Sequence, residues 1–349
     1  MVTMKDIAQA ANVSVATVSR ILSNDTTLSV SEETRQRVFN IAQQLNYKPS
    51  QKRYSKKKKG VYNIALLLAV SQHDEASDPY FASIRQGIEE QCEQLPIHIS
   101  SVIRANGAEV NDLSKFDGLI VIGSIDLEDI RRYFPESDHV VLVNQVIHSI
   151  DGYDIVCSDL ETATEGIVDY LIELGHTKIG YIGGSETIKK LNGEKSYEVD
   201  DIRKRVFEKK MKAMGLYEPK HVFIGNWGPS EGYELMKKAI ELGDLPRAFV
   251  IASDPMAIGA LHAIHQAGLR VPDDISIISF DDIDAAAFLN PPLSTVKMYA
   301  YEMGEIAANA LYERMNGRSI PVKILTPAKL IIRESCAPKK EHGSFKGGE

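Results

Sequence analysis

The sequence predicts an all-α helix-turn-helix module followed by an α/β core of two lobes, each built on a doubly wound parallel sheet. Three observations support this. Apolar residues recur at helical spacing through the first sixty residues. From Tyr62 onward, apolar runs typical of strands buried on both faces alternate with amphipathic helical stretches. This second region has about 270 residues, more than one open sheet normally uses, so we expect two lobes.

Composition excludes several classes of protein. The 349 residues are 44% hydrophobic and 25% charged, as in soluble globular proteins. No apolar run approaches the roughly 20 residues that span a bilayer, and the start lacks a secretory signal. The three cysteines, Cys92, Cys157 and Cys336, are widely spaced without any CxxC pair, which indicates a reducing cytoplasm and no structural zinc or disulfide framework.

The net charge of −8 is unevenly distributed. Residues 1–60 hold seven lysines and four arginines against two aspartates and two glutamates, a charge of +7, so the remainder carries −15. A basic end on an acidic body indicates nucleic-acid contact through one small module, although a solvated basic tail has the same composition.

Three short helices are predicted in the basic end. The first begins at Met4, with Thr3 as its cap, and the second runs over Val15–Leu22 with Ser14 as its cap. Ser31 caps a third helix after a polar loop. A tight turn between the first two helices gives the helix-turn-helix pattern.

The α/β region begins after a lysine-rich linker. Strands are predicted at 64–70, 119–122, 140–143, 179–182, 248–252 and 275–280, and helices at 84–92, 163–174 and 257–265. Ligands of such sheets bind beyond the carboxyl ends of the strands, which between two lobes is the interlobe cleft. The predicted parts are a helix-turn-helix domain (1–48), a hinge (49–60), a first lobe (61–160 and 294–321), a second lobe (161–293 and 322–335) and a tail (336–349).

The stretch MKDIAQAANVSVATVSRILS from Met4 closely resembles the helix-turn-helix of the lac and gal repressor family. VSEETRQRV from Val30 and LNYKP from Leu45 also match, and the resemblance continues to about Arg333. It implies a bacterial transcription regulator that binds operator DNA and a small effector. The implied DNA-contacting residues are Ser14, Val15, Ala16, Thr17, Ser19, Arg20, Thr34, Tyr47, Arg53, Tyr54 and Lys56.

The chemistry of the second helix fits a major-groove reader. Val15 and Ala16 occupy the family's main base-discriminating pair, and as apolar residues they can contact thymine methyl groups. Arg20 is best suited to grip guanine O6 and N7. The short hydroxyl side chains can reach phosphates, although any one of them could instead be only a cap or turn residue.

The linker departs from the family pattern. Members of the family usually place a leucine seven positions after the proline, where it wedges into the minor groove, but here that position is Lys56. Either Tyr54 supplies the wedge, or Arg53 and Lys56–Lys59 replace it with phosphate and narrow-groove contacts. A solvated spacer is the remaining alternative.

The resemblance also implies an effector site in the cleft. The residues it places there are Asp78, Tyr80, Asn144, Arg203, Trp227, Ser253, Asp281 and Met303. An arginine–carboxylate fork beside an aromatic plate suits a pyranose, which needs paired donors and acceptors and a flat apolar surface. Trp227 could instead be ordinary core, and Arg203 lies in a basic run that usually forms a solvated face.

Several segments, among them LSTV from Leu293, are similar to those of repressors of β-galactosidase operons, which favours a galactoside effector. We expect a homodimer on a pseudo-palindromic operator, without tetramerising heptads at the C-terminus. No GxxxxGK[ST], HExxH or GxSxG motif is present, so no enzyme, cofactor or metal site is predicted. The alternative functions are a sugar-binding receptor and a corepressor-dependent regulator with another effector.

Overall fold

The computed structural model describes residues 4–22, 30–45, 60–105, 113–135, 138–145, 152–192 and 194–339. The chain forms two compact units, divided after Lys58. Among the described helices, none has both the length and the apolar character needed to cross a membrane.

In the first unit, the described residues form three helices: α1 (Met4–Ala11), α2 (Val15–Leu22) and α3 (Glu32–Gln44). Ser14 Oγ accepts a hydrogen bond from Thr17 N (3.0 Å), and Ser31 Oγ accepts one from Thr34 N (3.2 Å), so both serines cap the helices that follow them, as predicted. The predicted cap Thr3 lies outside the described residues. The shared core consists of Ile7, Ala8, Ala11, Val18, Ile21, Val38 and Ala42.

The first lobe of the second unit has a parallel six-stranded sheet in the order β13-β5-β4-β3-β1-β2. Its strands are β1 (Tyr62–Leu68), β2 (Ile97–Arg104), β3 (Gly118–Ile122), β4 (Val140–Val143), β5 (Asp154–Ser158) and β13 (Lys323–Thr326). Its helices are α4 (Gln72–Ser77), α5 (Pro79–Gln94), α6 (Leu127–Tyr133) and α11 (Ala300–Met315).

The second lobe has its own six-stranded sheet, in the order β14-β12-β11-β10-β6-β9, with only β14 antiparallel. Its strands are β6 (Ile179–Gly184), β9 (Val222–Gly225), β10 (Ala248–Ile251), β11 (Ser276–Asp281), β12 (Ser294–Lys297) and β14 (Lys329–Ile331). Its helices are α7 (Leu160–Glu173), α8 (Ile202–Ala213), α9 (Pro229–Glu241) and α10 (Asp254–Gln266). A separate hairpin pairs β7 (Glu186–Ile188) with β8 (Tyr197–Val199).

The two-lobed α/β fold class is therefore confirmed, but two predicted lobe boundaries are wrong. Residues 294–297, assigned to the first lobe, form β12 and pair with β11 in the second sheet. Residues 323–326, assigned to the second lobe, form β13 and pair with β5 in the first sheet. Both strands have only four residues, and such short runs do not reveal which sheet they join.

The predicted tail also begins too early. Cys336 is buried, Ala337 N donates to Ser276 Oγ (3.2 Å), and Lys339 N donates to Leu174 O (2.8 Å). Residues 336–339 therefore pack on the second lobe, because backbone groups there find partners on β11 and after α7.

Within the described part of the second unit, the chain passes between the lobes three times, after β5, after β12 and after β13. Strands such as β1, whose residues Ile64–Leu68 are fully buried, have helices on both faces of their sheet. Parallel strands bring all their carboxyl ends to one edge, so polar residues directly after them gather beside the crossings.

Candidate functional site

The exposed side of α2 carries the predicted base-reading residues. Ser14, Val15, Ala16 and Arg20 are exposed, while Val18 and Ile21 on the opposite side enter the core of the first unit. The side chain of Val15 is 44% exposed, although burial of apolar surface is favourable in free energy. An apolar group at the start of an exposed helix suits contact with a thymine methyl group in a major groove.

The remaining predicted DNA residues divide into two groups. Thr17, Ser19 and Thr34 are half-buried, and the first and last of these take part in helix caps. The hydroxyl groups of Ser14 and Thr17 lie 2.9 Å apart, so the cap and a phosphate contact would share the same atoms. Tyr47, Arg53, Tyr54 and Lys56 lie outside the described residues.

A cavity of about 650 Å³ lies at the carboxyl ends of both sheets in the second unit. Its volume is within the usual range for small-molecule sites, about 300–1,000 Å³. Seven of the eight predicted effector residues line it: Asp78, Tyr80, Asn144, Arg203, Trp227, Ser253 and Asp281. Both lobes therefore supply side chains to one enclosed space.

Arg203 is fixed in the wall that the second lobe provides. Its Nε and Nη2 donate to the two oxygens of Asp201, each at 2.8 Å, and its Nη1 donates to Ala252 O at 2.7 Å. These bonds engage three of the five guanidinium N–H groups, which leaves two that a ligand can accept from. The alternative interpretation of Arg203 as part of a solvated basic face is contradicted, because this side chain is buried.

Trp227 stands beside Arg203. The guanidinium carbon lies 4.9 Å from its ring centroid, and Trp227 Nε1 donates to Ser185 O at 2.9 Å. A Cβ added to Gly184 would lie 2.5 Å from the indole, so only glycine allows the strand to approach the ring this closely. The half-buried indole therefore contributes its apolar surface to the cavity wall, because its single N–H donor is already bonded to Ser185 O.

Asp281 ends β11 and points toward the same space. Its φ of +113° is a strained conformation for a residue other than glycine, and such strain concentrates at functional sites. Asp254 N donates to Asp281 Oδ2 at 3.3 Å. The Asp254 carboxylate in turn accepts from Thr295 Oγ1 (2.7 Å) and Ile283 N (2.9 Å), which fixes the loop after the strand. Ser253 caps α10 by accepting from Met256 N at 3.3 Å.

The first lobe brings Asp78, Tyr80 and Asn144 to the opposite wall. Asp78 caps α5 by accepting from Tyr80 N (3.0 Å), and Tyr80 Oη donates to Asn144 Oδ1 (3.2 Å). Met303 does not line the cavity, contrary to the prediction. It is fully buried behind the wall, with its sulfur 3.8 Å from Tyr80 Oη and 3.1 Å from Ser158 Oγ, because α11 packs on the other side of Tyr80.

The cavity concentrates acidic groups from both lobes. Burial raises the pKa of Asp281 well above its usual range, with Asp78 and Asp254 adding to the effect, and burial also raises the pKa of Asp78. Burial and the neighbouring Asp201 raise the pKa of Glu186 to about 7, against the opposing effect of Arg203. Protonated and ionised carboxyls side by side offer both donors and acceptors to a neutral polyol.

Sequence reasoning missed several cavity residues. Glu186 and Lys189 come from the β7–β8 hairpin, whose signal is the dipeptide Asn192-Gly193 between short alternating runs. Gln145 lies two residues after β4 and Ser158 ends β5, so the rule that ligands bind at the carboxyl ends of parallel strands could have found both.

A group of potential metal ligands lies away from the cavity. Glu218, His221 and Asp244 approach one another closely enough to share an ion. However, Asp244 is already bonded to Lys178 and to Lys220 (2.6 Å), and the latter also lies 3.2 Å from Glu218. Two ammonium groups occupy the carboxylates that a metal would need.

Comparisons with known proteins agree with this architecture. Residues 3–50 match the model of bacterial regulatory proteins of the lacI family, and residues 168–336 match the periplasmic binding protein-like domain. The HTH-type transcriptional repressor MelR of Bacillus subtilis (strain 168) is 43% identical over 344 residues, covering 96% of this chain and 98% of the relative. The HTH-type transcriptional regulator GalR of Lacticaseibacillus casei is 38% identical over 339 residues, covering 96% and 99%.

Solved structures share the fold. The complex of the transcriptional regulator CelR with cellobiose has a TM-score of 0.66 at 22% identity, covering 96% of this chain and 100% of that one. The lac repressor dimer bound to operator and the anti-inducer ONPF has a TM-score of 0.65 at 22% identity, covering 96% and 99%. The chain has a helix-turn-helix unit and a two-lobed core, and its relatives are similar over nearly their whole length. It therefore belongs to the lacI family of bacterial regulatory proteins and is a DNA-binding transcription regulator.

Proposed function

We propose that this chain represses a galactoside-utilisation operon in the cytoplasm and leaves its operator when a galactoside binds in the interlobe cavity. The observation that carries the proposal is the group formed by Arg203, Trp227 and Asp281 at the carboxyl ends of the second sheet, facing Asp78 of the other lobe. Fixed donors, acceptors and an apolar ring surface in one cavity match the hydroxyls and apolar face of a pyranose.

The DNA-binding half of the proposal rests on α2. Val15, Ala16 and Arg20 read base edges from its exposed side, and the neighbouring hydroxyls contact phosphates. One such helix reads too few bases to find a site in a genome, so two chains bind as a homodimer to a pseudo-palindrome. The segment after Pro49 contacts the minor groove through Tyr54 or through Arg53 and the lysines that follow.

Repression and effector binding are linked by the arrangement of the lobes. A sugar touching Asp78 or Tyr80 on one side and Arg203 or Asp281 on the other favours one lobe arrangement over others. If that arrangement positions the two DNA-binding units less favourably for operator binding, then sugar and operator each lower the affinity for the other by the same factor. The residues of the cavity then act as binding groups, with no catalytic role.

The test begins with selection of preferred duplexes from random DNA by the purified full chain. The operator obtained is titrated by fluorescence anisotropy with galactose, lactose, melibiose and raffinose, and with glucose as a control. We expect one of the galactosides to weaken operator binding at constant protein concentration. Absence of a preferred duplex, or operator affinity unaffected by every sugar, would refute the proposal, and tighter binding with sugar would instead indicate a corepressor.

Two variants separate the two sites. Arg20→Ala removes a base contact worth about 1–3 kcal/mol, so operator affinity falls about 5- to 150-fold while sugar binding is retained. Asp281→Ala keeps operator binding and loses the response to sugar. The reverse pattern in either variant would contradict the assigned roles.

A further inference from the structure

The hairpin of the second lobe is attached to the first lobe. Its strands β7 and β8 leave β6 and return to Asp201, which caps α8 by accepting from Arg203 N at 2.8 Å. Both ends of the segment are thus fixed in the second lobe. Residues 186–191 and 197–199 are called the interlobe latch from here on.

The main chain of the latch pairs with the loop between β3 and α6 in the first lobe. Lys189 N donates to Ser124 O (2.9 Å), and Asp126 N donates to Lys189 O (2.9 Å), which gives a parallel bridge of Lys189 to Ile125. Leu191 N donates to Asp129 Oδ2 at 2.7 Å. A β-bridge therefore extends across the cleft at this point.

Side chains strengthen the attachment. Leu191 is fully buried in a hydrophobic cluster that otherwise consists of first-lobe residues such as Ile125, Ile130 and Leu142. Lys190 Nζ lies 2.9 Å from Asp126 Oδ2, and Tyr197 Oη donates to the same oxygen at 3.2 Å. Apolar burial, an ion pair and hydrogen bonds all join the latch to the opposite lobe.

The latch lies apart from the three crossings. The chain passes between lobes after β5, β12 and β13, near the β13 end of the first sheet and the β14 end of the second. The latch instead follows β6 near the other end of the second sheet, and it meets the loop after the central strand β3. The latch residues Glu186, Thr187 and Lys189 line the cavity, which lies between the crossings and the latch.

We propose that the interlobe latch restrains opening of the cleft and thereby sets how tightly, and for how long, the effector is held. The choice of a galactoside rests on the proposed function, but the restraint itself does not. With the crossings on one side and the latch on another, the lobes separate only when the bridge, the Leu191 contacts and the bonds to Asp126 break together.

The consequence for binding follows from populations. The effector needs both walls at once, so its apparent dissociation constant is the intrinsic one divided by the fraction of chains with the walls in place. Loosening the latch lowers that fraction. Because a closed cleft also slows escape, the dissociation rate should change more than the association rate.

The test variant is Lys190→Ala combined with Tyr197→Phe, which removes both side-chain bonds to Asp126 but leaves the buried Leu191 in place. The matched control is Lys212→Ala combined with Tyr217→Phe. These two side chains touch each other within the second lobe, with the ammonium group 4.5 Å from the ring centroid. Each double variant lacks one ammonium group and one phenol hydroxyl, so a difference in behaviour between the two variants reports the interaction across the cleft.

Two measurements are made on the full chain. Without sugar, hydrogen exchange of the amides of Asp126, Lys189 and Leu191 reports latch opening. We expect exchange to be at least about 10-fold faster in the test variant only, because this variant lacks an ion pair and a hydrogen bond that together are worth about 1.5 kcal/mol or more. With the sugar that releases the wild type, the fluorescence of Trp227 reports binding, and we expect dissociation of the sugar to be about three- to ten-fold faster in the test variant only, with a dissociation constant that rises only as far as the closed fraction falls.

The outcomes are distinct. Rapid exchange of the three amides in the wild type, or equal exchange in both double variants, would overturn the latch. Faster exchange with unchanged sugar affinity and dissociation rate would overturn its role in retaining the effector. If no sugar binds the wild type, the galactoside assignment fails, and exchange alone then decides whether the lobes are latched.

Discussion

Glu186 offers a sharp test of the electrostatics of the cavity. Burial, followed by the negative charge of Asp201, raises the pKa of Glu186 from 4.5 to about 7, while Arg203 acts in the opposite direction. In the unfolded chain the carboxyl ionises near its ordinary value. Between these two pH values the folded protein therefore binds more protons than the unfolded protein, and its free energy of unfolding falls as pH rises.

The size of the effect follows from that interval. Each pH unit is worth about 1.4 kcal/mol, so the full interval corresponds to at most about 3 kcal/mol. The Glu186 side chain is 22% exposed, and water at the cavity wall reduces the value, so we expect about 1–3 kcal/mol. Glutamine at this position resembles the protonated acid, because its amide can still donate to Asp201.

Glu186→Gln should therefore match the wild type in stability near pH 4.5 and exceed it by about 1–3 kcal/mol at pH 8. Urea unfolding followed through Trp227 at half-unit intervals measures the difference between the proteins. The raised pKa values of Asp78, Asp254 and Asp281 act in both proteins and largely cancel. A stability difference that stays constant with pH, or a less stable variant at pH 8, would refute the assigned environment.

Three other changes give separate expectations. Asp281→Asn replaces a carboxyl group whose ionisation is opposed by burial and then by Asp78 and Asp254, so unfolding stability should hold or rise while sugar affinity, measured by calorimetry, falls about 10-fold or more; an unchanged affinity would exclude this carboxyl group from the site. Gly184→Ala places a methyl group 2.5 Å from the indole of Trp227, so melting experiments should show a decrease in stability of about 1–3 kcal/mol and sugar binding should weaken; a silent variant would contradict the close packing. Replacing Lys56–Lys59 with alanine should reduce the log–log slope of operator affinity against salt by about one for each lysine that binds a phosphate, whereas an unchanged slope would favour a solvated spacer.

The sequence was most informative where a local rule determines the geometry. Ser14 and Ser31 cap helices because a hydroxyl before an apolar periodic stretch satisfies free N–H groups. Asn144, Ser253 and Asp281 meet at one cavity because each ends a parallel strand or lies within two residues of its carboxyl end.

The sequence was least informative where packing between residues distant in sequence determines the structure. The strands at 294–297 and 323–326 exchange lobes relative to the prediction, because the sequence of a four-residue strand does not indicate which sheet it joins. Met303 lies behind Tyr80 because of the position of α11, which periodicity alone does not give. The latch was missed because its stability comes from residues more than sixty positions away, such as Asp126 and Asp129.

The late position of β13 and β14 in the sequence has a consequence for synthesis of the chain. The first sheet needs β13 and the second needs β14, and both strands lie within the last thirty residues of the chain. A nascent polypeptide on the ribosome therefore cannot complete the two sheets until β13 and β14 have been synthesised. A premature stop codon upstream of Lys323 would leave β5 as an unpaired apolar edge, a template for aggregation, so products truncated there should be cleared by proteases instead of acting as partial regulators.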